Sequence, residues 1–294
     1  MREPLFEHRV ELAGFETRAL ELEGTGVPLV FLHGFSDSAD TWRLVLDRLA
    51  RRGQRALALD LPGFATASPL DPRRAVLDQL DAFTTAAVRH AGGRAVVVGN
   101  SLGGVCALRA AERRDLRLRG VVPIAPAGLE MPRWFQIIEG DPLVRFLLRS
   151  PLPLPEVAVR AVVGEAYRQL AFARPRAATG EVVASFTQHF RDRRAVARYL
   201  EVGRRLLPEL AECFRLAEIK VPVLLIWGDR DRMVTHRGAR RVIDALPNTT
   251  YELLEGVGHC PQLEAPDRVV SLLLAFLARA AQGSRGIVVA EPES

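Results

Sequence analysis

The residue in this chain that is best placed for chemistry is Ser101, which lies between Gly99 and Gly103 just after the apolar run 96–98. A short β-branched run bounded by glycine predicts a buried strand, and segment 102–113 predicts a helix. Small residues on both sides of a serine let strand and helix pack closely and hold the hydroxyl in a strained, exposed turn. The pattern indicates a nucleophilic serine, but serine is also a common helix N-cap, so these residues alone leave a structural role open.

A serine hydroxyl becomes a good nucleophile when a base takes its proton, and that base needs a third group to fix its tautomer and stabilise the imidazolium. Later segments supply both residue types, each just beyond a predicted strand. Asp229 and Asp231 follow the strand predicted at 223–227, and His259 follows the one at 250–254. Since the carboxyl ends of parallel strands meet at one edge of a sheet, we expect Ser101, His259 and one of the acids to converge there.

The elements that must position these residues alternate between strands and helices. Segments 8–13 and 17–23 predict an antiparallel pair at the edge of a sheet. Further strands are predicted at 27–32, 56–59, 96–98, 121–125, 221–227 and 250–254, and helices at 41–52, 75–91, 102–113, 237–246 and 266–281. This alternation predicts an α/β fold with a mostly parallel, doubly wound sheet of about eight strands.

The alternation breaks between residues 129 and 218, where amphipathic helical stretches are separated by prolines. We therefore expect a core formed by residues 1–128 and 219–282, with residues 129–218 inserted as a helical cap. Residues 283–294 are predicted to be a mobile C-terminal tail.

Five ordered motifs, which span nearly the whole chain, resemble those of the α/β-hydrolase superfamily in its serine-nucleophile, esterase and lipase-like branch. They are His33-Gly34-Phe35, Asp60-Leu61-Pro62-Gly63-Phe64, Gly99-Asn100-Ser101-Leu102-Gly103-Gly104, Trp227-Gly228 with Asp231, and Gly258-His259 with Pro261, Glu264 and Pro266. The resemblance implies that Ser101 is the nucleophile, His259 the general base and Asp231, rather than Asp229, the orienting carboxylate. It also implies an oxyanion hole made by the backbone N–H groups of Phe35 and Leu102, with His33 shaping that loop.

The type of nucleophile narrows the reaction. Epoxide hydrolases and haloalkane dehalogenases of this fold attack with an aspartate, so Ser101 argues against both and favours hydrolysis of carboxylic esters. Enzymes that cleave carbon–carbon bonds in dienoate ring-fission products share the Gly-Asn-Ser-hydrophobic-Gly-Gly pattern and form the alternative. Those enzymes usually carry Gly-Pro-Gly in the oxyanion loop and tryptophan after the histidine, where this chain has Phe35-Ser36-Asp37 and Cys260. A non-catalytic binding protein is a third possibility, although such relatives often lack part of the triad.

The inserted cap is expected to set the choice of substrate, because in this fold it closes over the serine. Its first part is strongly apolar, and our candidates for the acyl pocket are Trp134, Phe135, Ile138 and Phe146, together with Cys260. Such a pocket fits a medium-chain or lipid-like acyl group. The same apolar side chains could instead pack the cap onto the core, and the sequence leaves both roles open.

The composition of the 294 residues, with 48% hydrophobic and 26% charged, is typical of a globular protein. The net charge is +5, but the arginines are interleaved with acids rather than clustered, which argues against a nucleic-acid partner. The three cysteines lack metal-ligand spacing, and the only Gly-rich loop lacks the lysine of a phosphate-binding loop, so we expect no metal and no cofactor. With no signal-peptide or membrane-length apolar run, we expect a cytoplasmic protein that acts on a small-molecule ester and makes at most transient contact with a lipid surface.

Overall fold

The structure is a computed structural model of the chain and describes residues 5–130 and 155–282. Within these ranges, eight strands form one open sheet in the order β1-β2-β4-β3-β5-β6-β7-β8. The strands are β1 (Leu5–Leu12), β2 (Phe15–Leu22), β3 (Thr25–Leu32), β4 (Gln54–Leu59), β5 (Val96–Asn100), β6 (Gly120–Ile124), β7 (Leu224–Gly228) and β8 (Thr250–Leu254). β1 pairs antiparallel with β2, and β2 with β4, whereas all the other pairs are parallel.

Helices cover both faces of this sheet, which confirms the predicted doubly wound α/β fold. They are α1 (Arg43–Ala50), α2 (Val76–His90), α3 (Leu102–Ala111), α4 (Glu156–Ala171), α5 (Gly180–Thr187), α6 (Arg193–Glu209), α7 (Ala239–Ala245), α8 (Pro261–Glu264) and α9 (Pro266–Gln282). Buried side chains of α2 and α3 pack on one face, and those of α1 and α9 on the other. No helix in the described ranges combines the length and the apolar character needed to cross a membrane.

Element boundaries differ from the predicted ones where hydrogen bonding decides them. β7 begins at Leu224 rather than at residue 221, because Pro222 has no N–H to donate to a neighbouring strand and Val223 forms only an isolated bridge with Val121. The helix predicted at 41–52 starts as a 3₁₀ turn, Ala39–Trp42, and becomes α-helical only at Arg43. The short helix α8 was not predicted and has Pro261 in its first turn.

A buried ion network fixes the loop that follows β3. Arg18 on β2 contacts Asp40 at 2.8 Å and Asp60 at 3.1 Å, and Asp60 also accepts the backbone N–H of Ala39 at 2.8 Å. Burial alone would raise the pKa of Asp60, but the Arg18 guanidinium outweighs this effect and lowers it. Gln188, just after α5, donates to Asp40 at 3.1 Å. The network therefore joins strand β2, the loop after β3 and the helices that lie between β6 and β7.

The C-terminal end of α6 is bonded to the start of helix α2. The carboxylate of Glu209, at the end of α6, accepts the backbone N–H groups of Val76 and Leu77, both at 2.8 Å. These are the first N–H groups of α2, which have no acceptor within their own helix. Glu209 thus caps α2 and holds α6 against it.

Candidate active site

Ser101 occupies a sharp turn between β5 and α3. Its φ angle is +53°, a conformation that costs an L-residue free energy and that is kept only where the surroundings enforce it. Its backbone N–H donates to the carbonyl of Ile124 on β6 at 2.9 Å, which anchors the turn to the next strand. Although Ser101 stands at the N-cap position of α3, its side chain makes no capping hydrogen bond. Ser101 instead lines a cavity.

The turn depends on close backbone approaches at two glycines. A Cβ atom on Gly99 would lie 2.0 Å from the carbonyl oxygen of Gly103, and one on Gly103 would lie 2.1 Å from that of Leu32. The Gly103 N–H also donates to the carbonyl of His33 at 3.0 Å. Strand β5, helix α3 and the end of β3 are therefore in backbone contact around Ser101.

His259 and Asp231 meet beside this turn. His259 lies in the loop after β8, and its Nδ1 atom is 2.7 Å from Oδ2 of Asp231, in the loop after β7. The other carboxylate oxygen, Oδ1, accepts the backbone N–H groups of Met233 at 2.8 Å and Val234 at 2.9 Å. Trp227 also donates its indole N–H to Oδ2, at 3.2 Å. With every carboxylate oxygen engaged, Asp231 is fixed with Oδ2 facing the imidazole.

Asp229, the competing acid, lies elsewhere. Its Oδ1 atom accepts the N–H groups of Gly256 at 2.7 Å and Val257 at 3.3 Å, in the loop that leads to His259. Its Oδ2 atom is 3.5 Å from Nε of Arg230. Asp229 shapes the loop after β8, and Asp231 contacts the imidazole.

Backbone contacts fix the position of His259 from two sides. Its N–H donates to the carbonyl of Ala171, the last residue of α4, at 2.8 Å, and its carbonyl accepts the side-chain amide of Asn100 at 3.0 Å. The carboxylate of Glu264 then bridges the N–H groups of Gly258 at 2.7 Å and Ala173 at 2.9 Å. The loop that carries the imidazole is therefore bonded both to β5 and to the segment around the end of α4.

The loop after β3 places Phe35 near Ser101, and Leu102 follows Ser101 directly as the first residue of α3. His33 is fully buried: its Nδ1–H donates to the carbonyl of Gly34 at 2.7 Å, and its Nε2 accepts the N–H of Leu61 at 2.8 Å. Burial lowers the pKa of His33 to about 4, so the ring is neutral and holds this loop in place. Phe35 lines the cavity beside Ser101, and the Leu102 N–H, the first of α3, has no acceptor within that helix.

These groups open into one largely apolar cavity of about 280 Å³. Phe35, Ser101, His259 and Cys260, all named from the sequence, line it, and Asp231 lies behind His259. Its walls are formed mainly by one face of α4 and one face of α6, with Phe186 from α5, and the sequence did not single these residues out. The wall residues of α4 and α6 include Val159, Val163, Tyr167, Tyr199 and Leu200. Trp134, Phe135, Ile138 and Phe146, the other pocket candidates, lie outside the described residues, as does the predicted tail 283–294.

Burial raises the pKa of two ionisable side chains that line the cavity together with His259. Cys260 is buried, with its Sγ atom 4.0 Å from the hydroxyl of Tyr167, and burial raises the pKa of its thiol well above the ordinary value. Burial also raises the pKa of Asp37 to about 7, against weaker lowering by hydrogen bonds from the Ser38 N–H, at 2.8 Å, and from Thr41. Within the described residues, no group of three or more His, Cys, Asp or Glu side chains is arranged to hold a metal ion.

Asp37 makes the stability of the fold depend on pH. Its pKa is about 7 when folded and 3.8 ordinarily, so the folded state holds a proton that the unfolded state has lost, and stability falls as pH rises from about 4 to about 7. Asp37→Asn removes this loss because an amide does not ionise, and the asparagine oxygen can still accept the Ser38 N–H. As the pH rises from 4 to 8, we expect the free energy of unfolding of the variant to increase relative to that of the parent by up to about 4 kcal/mol. Urea denaturation at several pH values measures this difference.

Asp78→Asn, which removes an exposed carboxylate on α2, is the matched control and should leave the pH dependence as it is in the parent. A constant difference between the Asp37→Asn variant and the parent across this pH range would contradict the assignment.

Comparisons with known proteins show the family of the chain. Residues 29–272 match the sequence profile of the alpha/beta hydrolase family. A pimeloyl-[acyl-carrier protein] methyl ester esterase of Nitrosomonas europaea is 27% identical, over 86% of this chain and 96% of the relative. A 2-hydroxy-6-oxononadienedioate/2-hydroxy-6-oxononatrienedioate hydrolase of Burkholderia vietnamiensis is 29% identical, over 87% of this chain and 89% of the relative.

Among solved structures, a 2-hydroxy-6-oxo-6-phenylhexa-2,4-dienoate hydrolase of Rhodococcus superposes with a TM-score of 0.76 at 20% identity, over 94% of this chain and 99% of that one. That likeness concerns the fold, whereas the profile match covers most of the sequence. The chain belongs to the alpha/beta hydrolase family.

Proposed function

We propose that this protein is a serine hydrolase that cleaves carboxylic esters with an apolar acyl group. One observation carries the proposal: Ser101, in a strained turn, lines the same cavity as an imidazole whose Nδ1 lies 2.7 Å from the buried carboxylate of Asp231. A nucleophile, a base and a group that orients the base are the three parts that acyl transfer by serine requires.

In the proposed reaction, the Oγ atom of Ser101 attacks the ester carbonyl while Nε2 of His259 takes the hydroxyl proton. Asp231 holds the tautomer in which Nδ1 carries hydrogen, so that Nε2 is free to accept. The N–H groups of Phe35 and Leu102 stabilise the oxyanion. As the carbonyl re-forms, the bond to the alcohol breaks and the alcohol takes the proton from His259. Water then repeats the sequence on the acyl-enzyme and releases the acid and Ser101.

The proposed cap consists of residues 129–218, inserted into a core of residues 1–128 and 219–282. In its described part, α4, α5 and α6 provide most of the cavity wall, largely with Val, Leu, Phe and Tyr side chains. Such a wall favours an apolar acyl group, because the hydrophobic effect stabilises burial of its methylene groups by about 0.8 kcal/mol each. We therefore place the substrate among medium-chain or lipid-like esters.

The second candidate is hydrolysis of a carbon–carbon bond in a dienoate ring-fission product. It is favoured by the relative from Burkholderia vietnamiensis, whose name states such an activity, and by Asn100, which lies in the shared elbow pattern and lines the cavity. The same serine, base and oxyanion donors would serve both reactions.

Labelling with a fluorophosphonate tests the proposed nucleophile. We expect the native protein to be labelled and the Ser101→Ala variant not to be, and labelling that persists in the variant would overturn the assignment.

A series of 4-nitrophenyl esters from acetate to dodecanoate, assayed beside a dienoate ring-fission substrate, tests the reaction. Turnover rising with acyl length is expected; a sharp preference for acetate contradicts the apolar acyl group, and turnover of the dienoate alone favours the second candidate.

A further inference from the structure

One charged side chain stands out in the apolar wall of the cavity. Arg193 is the first residue of α6, and it lines the cavity together with Val196 and Leu200. Residues spaced by three and by seven lie on the same face of a helix, so Arg193 belongs to the helix face that forms the wall. Of the described residues that line the cavity, it alone carries a permanent positive charge.

No acidic side chain among the described residues pairs with this guanidinium. The side chain of Arg193 forms no hydrogen bond or ion pair with residues 5–130 or 155–282. The neighbouring carboxylate, Asp192, is engaged with the N–H of Ala195 at 2.8 Å as the N-cap of α6. Asp37, the carboxylic acid that lines the cavity, has a pKa raised by burial to about 7 and makes no contact with Arg193.

A guanidinium in such surroundings attracts an anion strongly. Its planar set of N–H donors matches the oxygens of a carboxylate or a phosphate, often through two parallel hydrogen bonds. The attraction is larger beside an apolar wall than in open water, because the local dielectric constant is lower. Within the part of the chain that the structure describes, the cavity thus combines apolar walls, a candidate nucleophile and a cation that no acid pairs with.

We propose that Arg193 forms an anion subsite and that the substrate is an ester carrying a carboxylate or phosphate group at a distance from the bond that is cleaved. The inference rests on the proposed function and deepens it, since it names the second chemical feature that the substrate must carry. The anion can belong to the acyl group or to the alcohol. The apolar portion of the substrate then lies along α4, α5 and α6, and the anion is held at Arg193.

Paired substrates test the subsite. In the acyl arm, the 4-nitrophenyl hemi-ester of adipic acid is compared with 4-nitrophenyl hexanoate, which has the same chain length without the charge. In the alcohol arm, a 1-acylglycerol 3-phosphate is compared with the 1-acylglycerol of the same acyl chain. We expect the anionic member of at least one pair to have a kcat/KM higher by roughly 10- to 100-fold, the range expected for a charge-assisted hydrogen bond, and this ratio to fall with added salt.

Three variants test whether Arg193 causes the preference for the anionic substrate. Arg193→Gln should bring the ratio close to one, and Arg193→Lys, which keeps the charge, should retain most of it. Arg194→Gln is the matched control: it removes the same charge one residue away, at an exposed position that does not line the cavity, and should leave the ratio unchanged. Thermal unfolding of each variant shows that the fold is retained.

The results that would exclude the subsite differ from those that would overturn the proposed function. The subsite is excluded if neither anionic ester is preferred, if Arg193→Gln keeps the preference, or if Arg194→Gln abolishes it equally. If no ester is hydrolysed and Ser101 is not labelled by a fluorophosphonate, the proposed function itself fails and the subsite fails with it. Calorimetric binding of the hemi-ester to Ser101→Ala, with and without Arg193→Gln, measures the anion contact independently of turnover.

Discussion

Replacing Asp231 with asparagine is expected to lower kcat by about 10,000-fold, the loss measured when the equivalent carboxylate of a serine protease is changed in the same way. The hydrogen bonds around the side chain give the reason. Oδ1 receives the N–H groups of Met233 and Val234, so the amide oxygen of an asparagine must stay on that side. Its NH₂ group then faces Nδ1 of His259. The imidazole must accept there and carry its hydrogen on Nε2, where it cannot take a proton from Ser101.

Asp229→Asn is the matched control for this prediction. Its carboxylate oxygen Oδ1 accepts two backbone N–H groups, which an asparagine oxygen can also accept. We expect kcat within about threefold of the parent, as for a substitution that preserves the local hydrogen bonds. Steady-state kinetics on the best 4-nitrophenyl ester measures both variants. Equal losses at Asp229 and Asp231, or a small loss at Asp231, would contradict the assigned roles.

Replacing Gly99 with alanine is expected to lower the stability of the fold strongly. The added methyl group would lie 2.0 Å from the carbonyl oxygen of Gly103 and 2.7 Å from the N atom of Gly104. Both are backbone atoms of the first turn of α3, so no side-chain rotation relieves the overlap, and strand and helix must separate. We expect the free energy of unfolding to fall by at least about 3 kcal/mol, as for severe overpacking in a core.

Gly180→Ala supplies the control for this prediction. Gly180 is the first residue of α5, and no atom lies within 4 Å of the position that its Cβ would take. Alanine there should leave stability unchanged or raise it by up to about 1 kcal/mol, because alanine is the better helix former and restricts the unfolded chain. Urea denaturation compares the two variants. A Gly99→Ala protein as stable as Gly180→Ala would show that β5 and α3 are not in close contact.

The sheet could be predicted from the sequence because its parallel strands are mostly short apolar runs, and its antiparallel pair alternates between polar and apolar residues. β8 was predicted at the same residues that the structure assigns, and the strand predicted at 96–98 is two residues longer, ending at Asn100. Boundaries set by single hydrogen bonds could not be predicted in this way. The late start of β7 depends on Pro222, and α8 is too short for its apolar spacing to be periodic.

The candidate site divides in a similar way. The types of residue and their order along the chain pointed to Ser101, Asp231 and His259. The family resemblance favoured Asp231 over Asp229, but the residues alone could not separate two acids that lie two positions apart, because the difference consists in which backbone N–H groups each carboxylate accepts. The residues that form the walls of the cavity could not be predicted for another reason. Residues 159, 163, 167 and 170 have helical spacing, but periodicity alone does not tell whether an apolar face packs on the core or surrounds a cavity.

The hydrogen bond from the His259 N–H to the carbonyl of Ala171 has a consequence for how substrate range can change. Leu170 and Ala171 line the cavity at the same turn of α4 whose carbonyl holds the imidazole loop. A substitution that reshapes this part of the wall should therefore also displace His259, the proposed base. Its effect on turnover would then combine a change in how the substrate fits with a change in how the imidazole is aligned. Val196 and Leu200 on α6 line the cavity too, but no described hydrogen bond joins them to His259. Laboratory evolution toward bulkier esters should accumulate its changes on α6 before α4.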